Sequence, residues 1–227
     1  MFAIYKKELK SYFLSPIGYI AIGLFMLVYS LFFSLTTIMS RAYDMGALYF
    51  YTAMYGLLII VPIITMRMFA EERKNGTEQL LLTSPKSITQ IVLGKFFAAV
   101  TLIAITLVIS LVYYAILSFF KAPSIVLVLV MMLGFLLVSM AAIAIGMFIS
   151  SLTENQIIAA VVTIVFFVIS WFLPNISDAF SIINLMSNYQ KFPSGLISLT
   201  EVTNLLGLAV VFILFTIIIM QRKKSIK

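Results

Sequence analysis

The densest group of charged side chains in this sequence lies in the segment 69–85, FAEERKNGTEQLLLTSP. Its carboxylates and cations can pair with charges on another molecule, but they form no catalytic constellation. The whole sequence has no histidine and no cysteine, which removes the usual general base, thiol nucleophiles and thiolate metal sites. The chemistry that this segment predicts is therefore contact with a partner rather than catalysis.

Motifs for nucleotide binding and proteolysis are missing as well. Gly94-Lys95 is followed by Phe96 and lacks the upstream glycine of a phosphate-binding loop, so it cannot cradle a nucleotide. No pair of acidic residues lies inside the apolar runs, which excludes the familiar intramembrane protease sites. We therefore expect that the chain is not an enzyme and holds no cofactor or metal of its own.

The elements that position the charged segment are predicted to be membrane helices. The 227 residues are 63% hydrophobic and 10% charged, whereas soluble domains average roughly half apolar and about a quarter charged. A spanning helix needs about 20 mainly apolar residues. This predicts one all-α transmembrane domain over residues 1–227 with six spans, near 17–39, 47–66, 90–119, 125–150, 156–173 and 202–221.

The distribution of the 15 lysines and arginines predicts the orientation of these spans. Six spans place both termini on one side, and that side holds twelve of the basic residues. Only Arg41, Lys121 and Lys191 lie on the other side. The positive-inside rule then places both termini and the loop 67–89 in the cytoplasm, in a multi-pass protein of the cytoplasmic membrane. Topology accounts for the net charge of +7, so no nucleic-acid partner is expected.

Residues 2–14 have the pattern of an interfacial helix that lies flat on the membrane. Aromatic and leucine side chains recur on one helical face, whereas Lys6, Lys7 and Lys10 lie on the other. Ser15-Pro16 then predicts the start of the first span, with the serine as N-cap and the proline as the first helical residue.

Four serines mark the starts of later helices. Ser124 precedes the fourth span, and Ser87, Ser151 and Ser198 each have capping-box spacing before an apolar run. These positions coincide with the boundaries of the apolar runs, which supports the count of six spans.

The segment 174–200 is too apolar for a free loop and too short and polar to span a membrane. Two structures fit it. One is a pair of short helices that dip into the outer leaflet, where their backbone groups must be bonded internally. The other is a loop that rests on the membrane surface.

The interiors of the predicted spans carry no ionisable side chain. Arg67 and Lys95 lie at the cytoplasmic ends, where their side chains are expected to snorkel towards water. Proton- and ion-coupled transporters usually keep a buried ionisable group that binds and releases the coupling ion. Its absence argues against a transporter that powers itself. The hydroxyls within the spans more often bond to their own helix or to a neighbouring helix than line a pathway.

The loop 67–89 divides into two predicted pieces. Arg67–Lys74 is expected to continue the second span as a helix that ends at Asn75-Gly76. Thr77 then caps a short second helix that begins with Glu78 and ends before Ser84-Pro85. Three adjacent leucines, 80–82, give that helix an apolar side, so we expect a partner groove or the membrane surface to cover it.

Three stretches of the sequence together resemble the ABC-2 type permeases. They are YKKELKSYFLSPIGY at 5–19, the charged segment 69–85, and SLTENQ at 151–156. The subgroup associated with gliding motility and nitrous-oxide-reductase maturation is the most similar. The resemblance implies a six-helix half-transporter with an ABC-2, type V exporter-like fold, in which residues 1–15 form an elbow helix bearing Lys6, Lys7 and Lys10. It also implies that the chain pairs with a second copy or a paralogue and docks a dimer of cytoplasmic ATPase subunits, which hold ATP and Mg²⁺. An auxiliary membrane subunit is a further expected partner, alongside the lipid bilayer.

The resemblance also implies roles for particular residues. Those around the charged segment would include the coupling helix, which enters a cleft on the ATPase. Glu154 and Asn155, in the turn before the fifth span, would make a secondary contact, and residues 174–200 would be a re-entrant element at the outer end of the pathway. The coupling residues are Glu71, Glu72, Arg73, Lys74, Gly76, Thr77, Glu78, Leu80, Leu81 and Leu82.

The function implied is that of a permease subunit, with export the more usual direction in this family. An alternative is a non-transporting membrane scaffold of a surface or motility machine that docks an ATPase through the same loop. A secondary transporter or channel is a third possibility, which the missing buried charge disfavours. Spans with only hydroxyls and aromatics suit an amphipathic cargo better than a free ion.

Overall fold

The computed structural model describes residues 1–40, 44–79, 86–120, 124–175 and 181–226. Within these ranges the chain forms helices joined by turns, and they contain no strand. The predicted all-α class is confirmed. Among the described residues, the α-helices that have both ends within these ranges are α1 (Phe2–Leu14), α2 (Pro16–Phe33), α3 (Met45–Tyr51), α4 (Leu57–Thr65), α5 (Ala70–Lys74), α6 (Ile88–Ser118), α7 (Ile125–Leu152), α8 (Gln156–Phe172), α9 (Leu185–Tyr189) and α10 (Leu199–Ile226).

Shorter helical segments extend or link several of these helices. The π-helix Ser34–Met39 prolongs α2, and the π-helix Thr52–Gly56 joins α3 to α4. Two 3₁₀ turns, Leu173–Asn175 and Phe192–Ser194, follow α8 and α9.

In the part of the chain that the structure describes, five helical stretches are long and apolar enough to cross a membrane. Their lengths run from 24 to 31 residues. α8 has 17 residues, so its crossing stays a prediction. Length and composition therefore support five of the six predicted spans: Pro16–Met39, Met45–Lys74, Ile88–Ser118, Ile125–Leu152 and Leu199–Lys224.

Most of the predicted helix starts are confirmed. Ser15 and Ser124 are the N-cap residues of α2 and α7, and Pro16 begins α2. Ser87 caps α6, because its hydroxyl oxygen accepts a hydrogen bond from the Gln90 amide at 3.3 Å. The Ser87 cap satisfies an amide donor that has no partner inside the helix, whereas the side chains of Ser15 and Ser124 make no capping bond.

The predicted capping box at Ser151 is wrong. Ser151 lies in the last turn of α7, and its hydroxyl donates to the Phe148 carbonyl at 2.6 Å. Asn155 caps α8 instead, since its side-chain oxygen accepts from the Ile157 amide at 2.9 Å. Because α7 extends to Leu152, the Ser151 hydroxyl donates within its own helix. The N-cap of α8 is therefore Asn155, four residues after Ser151.

α7 lies at the centre of the bundle and contacts α4, α6, α8 and α10. Small residues permit this close approach. A Cβ atom added at Gly146 would lie 2.4 Å from the Thr65 hydroxyl of α4. Ala141, Ala142 and Ala144 are fully buried in the same part of the helix.

The segment that follows α8 folds back onto the bundle at the end away from α5. Asn184 caps α9 by accepting bonds from the amides of Met186 and Ser187. Phe192 is fully buried and lies against Gly134 of α7. Gly134 is about 14 Å along the α7 axis from Ile125, at ~1.5 Å per residue. The segment therefore packs beside the interior of α7 rather than only at its N-terminal end. Its depth in a bilayer stays a prediction.

Candidate functional site

Charged side chains collect at one end of the bundle, which we call the charged end. It consists of α1, the turn 66–69, α5, the first turns of α6 and the last turns of α7 and α10. Elements from distant parts of the sequence therefore meet there. Ion pairs and hydrogen bonds between them fix the position of α5.

The prediction that Arg67–Lys74 continues the second span as one helix is wrong at its start. Residues 66–69 form a turn, and α5 begins at Ala70. The amides of Phe69 and Ala70 each donate to the Ser150 hydroxyl oxygen at 3.2 Å, and that hydroxyl donates to the Met66 carbonyl at 3.3 Å. Because Ser150 of α7 accepts from these two amides, the chain leaves the helix axis and α5 starts against α7.

The predicted helix stop at Asn75-Gly76 is confirmed. Asn75 is the C-cap of α5, and Gly76 has a φ of +71°, in the left-handed region that favours glycine. The Thr77 hydroxyl donates to the Glu72 carbonyl at 3.1 Å, which fastens the next turn to α5. Glu78 and Gln79 are helical, as predicted. Leu80, Leu81 and Leu82 lie outside the described residues, so their apolar face stays a prediction.

A first group of charges joins α1, α5 and α6 through one lysine. The Lys95 ammonium lies 2.8 Å from a Glu72 carboxylate oxygen and 3.1 Å from a Glu8 carboxylate oxygen. It also lies 5.5 Å from the centre of the Phe69 ring. We call Glu8, Glu72 and Lys95 the Lys95 cluster.

The expectation that Lys95 snorkels towards water is wrong, because its side chain is only 2% exposed. Burying an ammonium group costs several kcal/mol after relaxation, on the order of what two well-placed carboxylates can offset. Glu8 and Glu72 are themselves mostly shielded, which strengthens their attraction to the lysine. One Glu72 oxygen is buried without a hydrogen-bond partner among the described residues. Lys95 is therefore the cation that holds both carboxylates of the cluster in place.

A second group of charges meets at the C-terminal end of α7. Arg73 lies 3.2 Å from Glu78 and donates to the Ser151 carbonyl at 2.8 Å. Lys223 of α10 donates to the same carbonyl at 2.6 Å and lies 3.8 Å from Glu78. Both cations satisfy a carbonyl that has no partner within the helix and lie at the negative end of the helix dipole. We call Arg73, Glu78, Ser151 and Lys223 the Ser151 cluster.

A recess of about 550 Å³ separates α1 from α5. Apolar side chains such as Ile4 and Met68 line it beside charged ones such as Lys7 and Lys86. The pKa of the Tyr12 hydroxyl in this recess lies above its usual range, because burial and the nearby Glu8 carboxylate both disfavour its ionised form. Tyr12 therefore stays a neutral donor at physiological pH.

The described coupling residues divide into a set that is ion-paired within the chain and a set that is exposed. Glu72, Arg73 and Glu78 belong to the two clusters, and Glu71 pairs with Arg67. The exposed residues can contact a partner, and they are Lys74, Gly76, Thr77, Glu154 and Asn155. Asn155 also caps α8. Lys6, Lys7 and Lys10 are exposed on α1.

Sequence reasoning missed the residues on which this site is built: Glu8, Lys95, Ser150, Ser151 and Lys223. The signal for Lys95 was a charge placed one helical turn inside an apolar run. Its partners are distant in the sequence, so no local spacing rule could pair them. Ser150 had no signal beyond lying at the end of an apolar run, and Ser151 was singled out only as a helix cap and as part of the stretch 151–156.

The fold and the charged end define a multi-pass helical membrane protein with an ion-paired site at one end. In the ranges that the structure describes, no group of three or more metal-ligating side chains occurs.

Residues 40–220 match the ABC-2 family transporter proteins. This match covers most of the chain, so the protein belongs to that family, and the resemblance to ABC-2 permeases is confirmed. Proteins of this family are the membrane subunits of ABC transporters and generally work with a cytoplasmic ATPase. No curated protein matches the chain.

Proposed function

We propose that this chain is the permease subunit of an ATP-binding cassette exporter and that its charged end docks a dimer of ATPase subunits. The observation that carries the proposal is the position of α5. Glu72 bonds Lys95 of α6 and Arg73 bonds the Ser151 carbonyl of α7, and these two groups also bind Glu8 of α1 and Lys223 of α10, whereas Lys74–Thr77 remain exposed. A short exposed segment next to residues that are bonded to the membrane helices can bind a partner. It can also transmit the partner's movement to those helices.

The charged end is proposed to face the cytoplasm. Twelve of the 15 basic residues fall on that side when the chain crosses six times. The sixth crossing requires α8, which is about 26 Å long at ~1.5 Å per residue. The 3₁₀ turn Leu173–Asn175 adds about 6 Å at ~2 Å per residue. The combined length of about 32 Å matches the ~30 Å hydrocarbon thickness of a bilayer.

Further parts of the proposal concern the ends of the bundle. α1 is proposed to be the elbow helix, with its three exposed lysines towards the lipid headgroups. Residues 174–200 are proposed to be a re-entrant segment that closes the outer end of the pathway. Its buried Phe192 and the cap at Asn184 support this role. We also propose membership of the gliding-motility and nitrous-oxide-reductase-maturation subgroup.

The mechanism places the chemistry on the partner. ATP and Mg²⁺ would be held by the ATPase, and closure of its two subunits would displace the exposed segment Lys74–Thr77, which we call the docking segment. The Lys95 cluster and the Ser151 cluster would transmit that displacement to the membrane helices as near-rigid bodies. A second copy or a paralogue would supply the other half of the pathway, with an auxiliary membrane subunit as a possible further component.

Adding negative charge to the docking segment tests the proposal, by reversing the charge of Lys74 and by introducing a carboxylate at Thr77. Lys74→Glu and Thr77→Glu are expected to weaken binding of the ATPase that co-purifies with the protein and to abolish its stimulation in liposomes. Lys224→Glu is the matched control, because Lys224 is exposed at the same end on α10. Full stimulation by both variants would refute docking at this segment.

The alternative is a membrane scaffold that docks an ATPase without transporting anything. One observation favours it: buried hydroxyls such as Thr106, Ser139 and Thr163 donate to carbonyls of their own helices. These hydroxyls therefore offer no polar pathway inside one protomer. A permease would need its pathway between two copies. ATP-dependent movement of a fluorescent amphipathic lipid across the liposome membrane would support the permease, and its absence beside normal ATPase stimulation would support the scaffold.

A further inference from the structure

We propose that the Lys95 cluster makes α1 part of the path that carries movement from the docking segment into the membrane helices, with Lys95 as the positioning residue. This inference rests on the proposed docking of an ATPase at the charged end. It assigns a role to a lysine and to a glutamate, Glu8, that lie outside the docking segment.

The geometry around the lysine carries the proposal. α1 and α5 lie on opposite sides of the recess, yet a carboxylate from each reaches the same ammonium group, at 3.1 and 2.8 Å. Lys95 belongs to neither element, since it lies on α6. A displacement of Glu72 therefore acts on Glu8 through the lysine.

α1 is fixed to α6 by contacts that do not involve α5. The hydroxyls of Tyr5 and Thr101 lie 3.1 Å apart. Ile4 lies against Gly94, where an added Cβ atom would be 2.9 Å from the isoleucine side chain. α1 and α6 therefore form one body, and Glu72 attaches α5 to it.

The Ser151 cluster attaches α5 to a second pair of helices, α7 and α10, which also pack against α6. Arg73 of α5 and Lys223 of α10 share the Ser151 carbonyl of α7, and α7 and α10 pack along each other. α5 is thus held between the α1–α6 pair and the α7–α10 pair. Loss of the ammonium group of Lys95 removes the ion pair between α5 and α6. α5 then stays attached to the α7–α10 pair through Arg73.

The ion pairs of Lys95 with Glu8 and Glu72 suit a contact between helices that move relative to each other better than a rigid contact. A well-packed apolar cluster often stabilises a buried position as well as an ion pair does. Shielded opposite charges attract over a longer range than apolar contacts and are weakly screened by salt. The flexible four-carbon stem of lysine lets the ammonium follow its partners through small shifts.

The test uses pairs of spin labels across the recess, in the complex with the ATPase. The sequence has no cysteine, so Ser11→Cys and Asn75→Cys give one label on α1 and one at the end of α5 without background. The distance between the labels is measured by pulsed electron paramagnetic resonance, without nucleotide and after trapping with ATP and vanadate. ATPase binding and stimulation are measured on the same variants.

In the parent protein we expect the same label distance in both nucleotide states, because α1 follows α5. In Lys95→Met we expect the distance to differ between the states and stimulation of the ATPase to fall about fivefold or more, the lower end of typical coupling between sites. ATPase binding is expected to stay within about twofold, since the exposed docking residues are unchanged. Lys95→Arg keeps the charge and should restore coupling, and Lys224→Met is the control for removing an exposed lysine.

Glu8→Gln is a second test, which leaves the pair between Lys95 and Glu72 in place. It should reproduce the uncoupling of Lys95→Met while disturbing folding less, because glutamine keeps the size of the glutamate side chain and Lys95 keeps its partner Glu72. An unchanged label distance and full stimulation in both variants would overturn the inference while leaving the docking proposal intact. If the parent protein binds no ATPase, the docking proposal and this inference both fail.

Discussion

The contact between Gly134 and Phe192 offers the sharpest test of the fold at the end opposite α5. A Cβ atom at position 134 would lie 2.3 to 2.6 Å from the Cγ, Cβ and Cδ1 atoms of Phe192. These atoms are near the backbone, so rotation of the ring cannot relieve the clash, and the segment around Phe192 must move outwards. Overpacking of this kind typically costs about 1–3 kcal/mol. We expect Gly134→Ala to lose stability in that range.

The assay is thermal unfolding in detergent, followed by tryptophan fluorescence. The sequence has one tryptophan, Trp171, and its carbonyl lies 3.5 Å from the Asn184 side-chain nitrogen, close to the segment that moves. For a domain of this size each kcal/mol corresponds to about 2–4 °C in Tm. Gly134→Ala is therefore expected to lower Tm by about 2–12 °C.

Gly207→Ala is the matched control, because an added Cβ at that helical glycine meets nothing within 4 Å. It should leave Tm unchanged or raise it, since alanine is the better helix former by about 1 kcal/mol. The double variant with Phe192→Ala should lose less than the sum of the two single losses, because the smaller side chain leaves space for the new methyl group. Equal Tm values for Gly134→Ala and the parent would refute the placement of Phe192.

Three further substitutions test the buried polar groups by the same thermal assay. Ser150→Ala removes the acceptor of the amides at 69 and 70 and should cost about 1–3 kcal/mol; an unchanged Tm would contradict the turn geometry. Tyr189→Phe removes a buried hydroxyl that has no hydrogen-bond partner among the described residues, so Tm should stay level or rise; a fall would show that the hydroxyl has a partner. Lys223→Met should cost about 1 kcal/mol through its bond to the Ser151 carbonyl, whereas Lys224→Met should stay within about 0.5 kcal/mol. Equal effects of the two lysine variants would argue against the Ser151 cluster.

Local patterns predicted much of the fold. Apolar runs gave five helical stretches of spanning length, and the serine or proline at their starts gave boundaries such as Pro16 and Ile88 to within about two residues. The stop at Gly76 was predicted because a left-handed residue is a local requirement that glycine meets best. Each of these features depends on residues that are neighbours in the sequence.

The features that were mispredicted depend on contacts between distant residues. The break at 66–69 occurs because a serine 81 residues away accepts a hydrogen bond from the Phe69 amide. Lys95 can be buried because it pairs with two carboxylates, Glu8 of α1 and Glu72 of α5. A single sequence contains no rule that pairs such positions. The charged segment was therefore recognised as a site, while the residues that hold it in place were not.

α7 connects the two ends of the molecule that the proposals invoke. At the charged end, adjacent residues of this helix serve different partners: the Ser150 hydroxyl accepts from the turn before α5, and the Ser151 carbonyl accepts from Arg73. Sixteen residues earlier, about 24 Å away along the axis at ~1.5 Å per residue, Gly134 receives Phe192. Since that contact leaves no space for even a methyl group, an axial shift of α7 must carry the segment around Phe192 with it or break the contact. A displacement that begins at α5 would thus reach the opposite end of the bundle through one rigid helix.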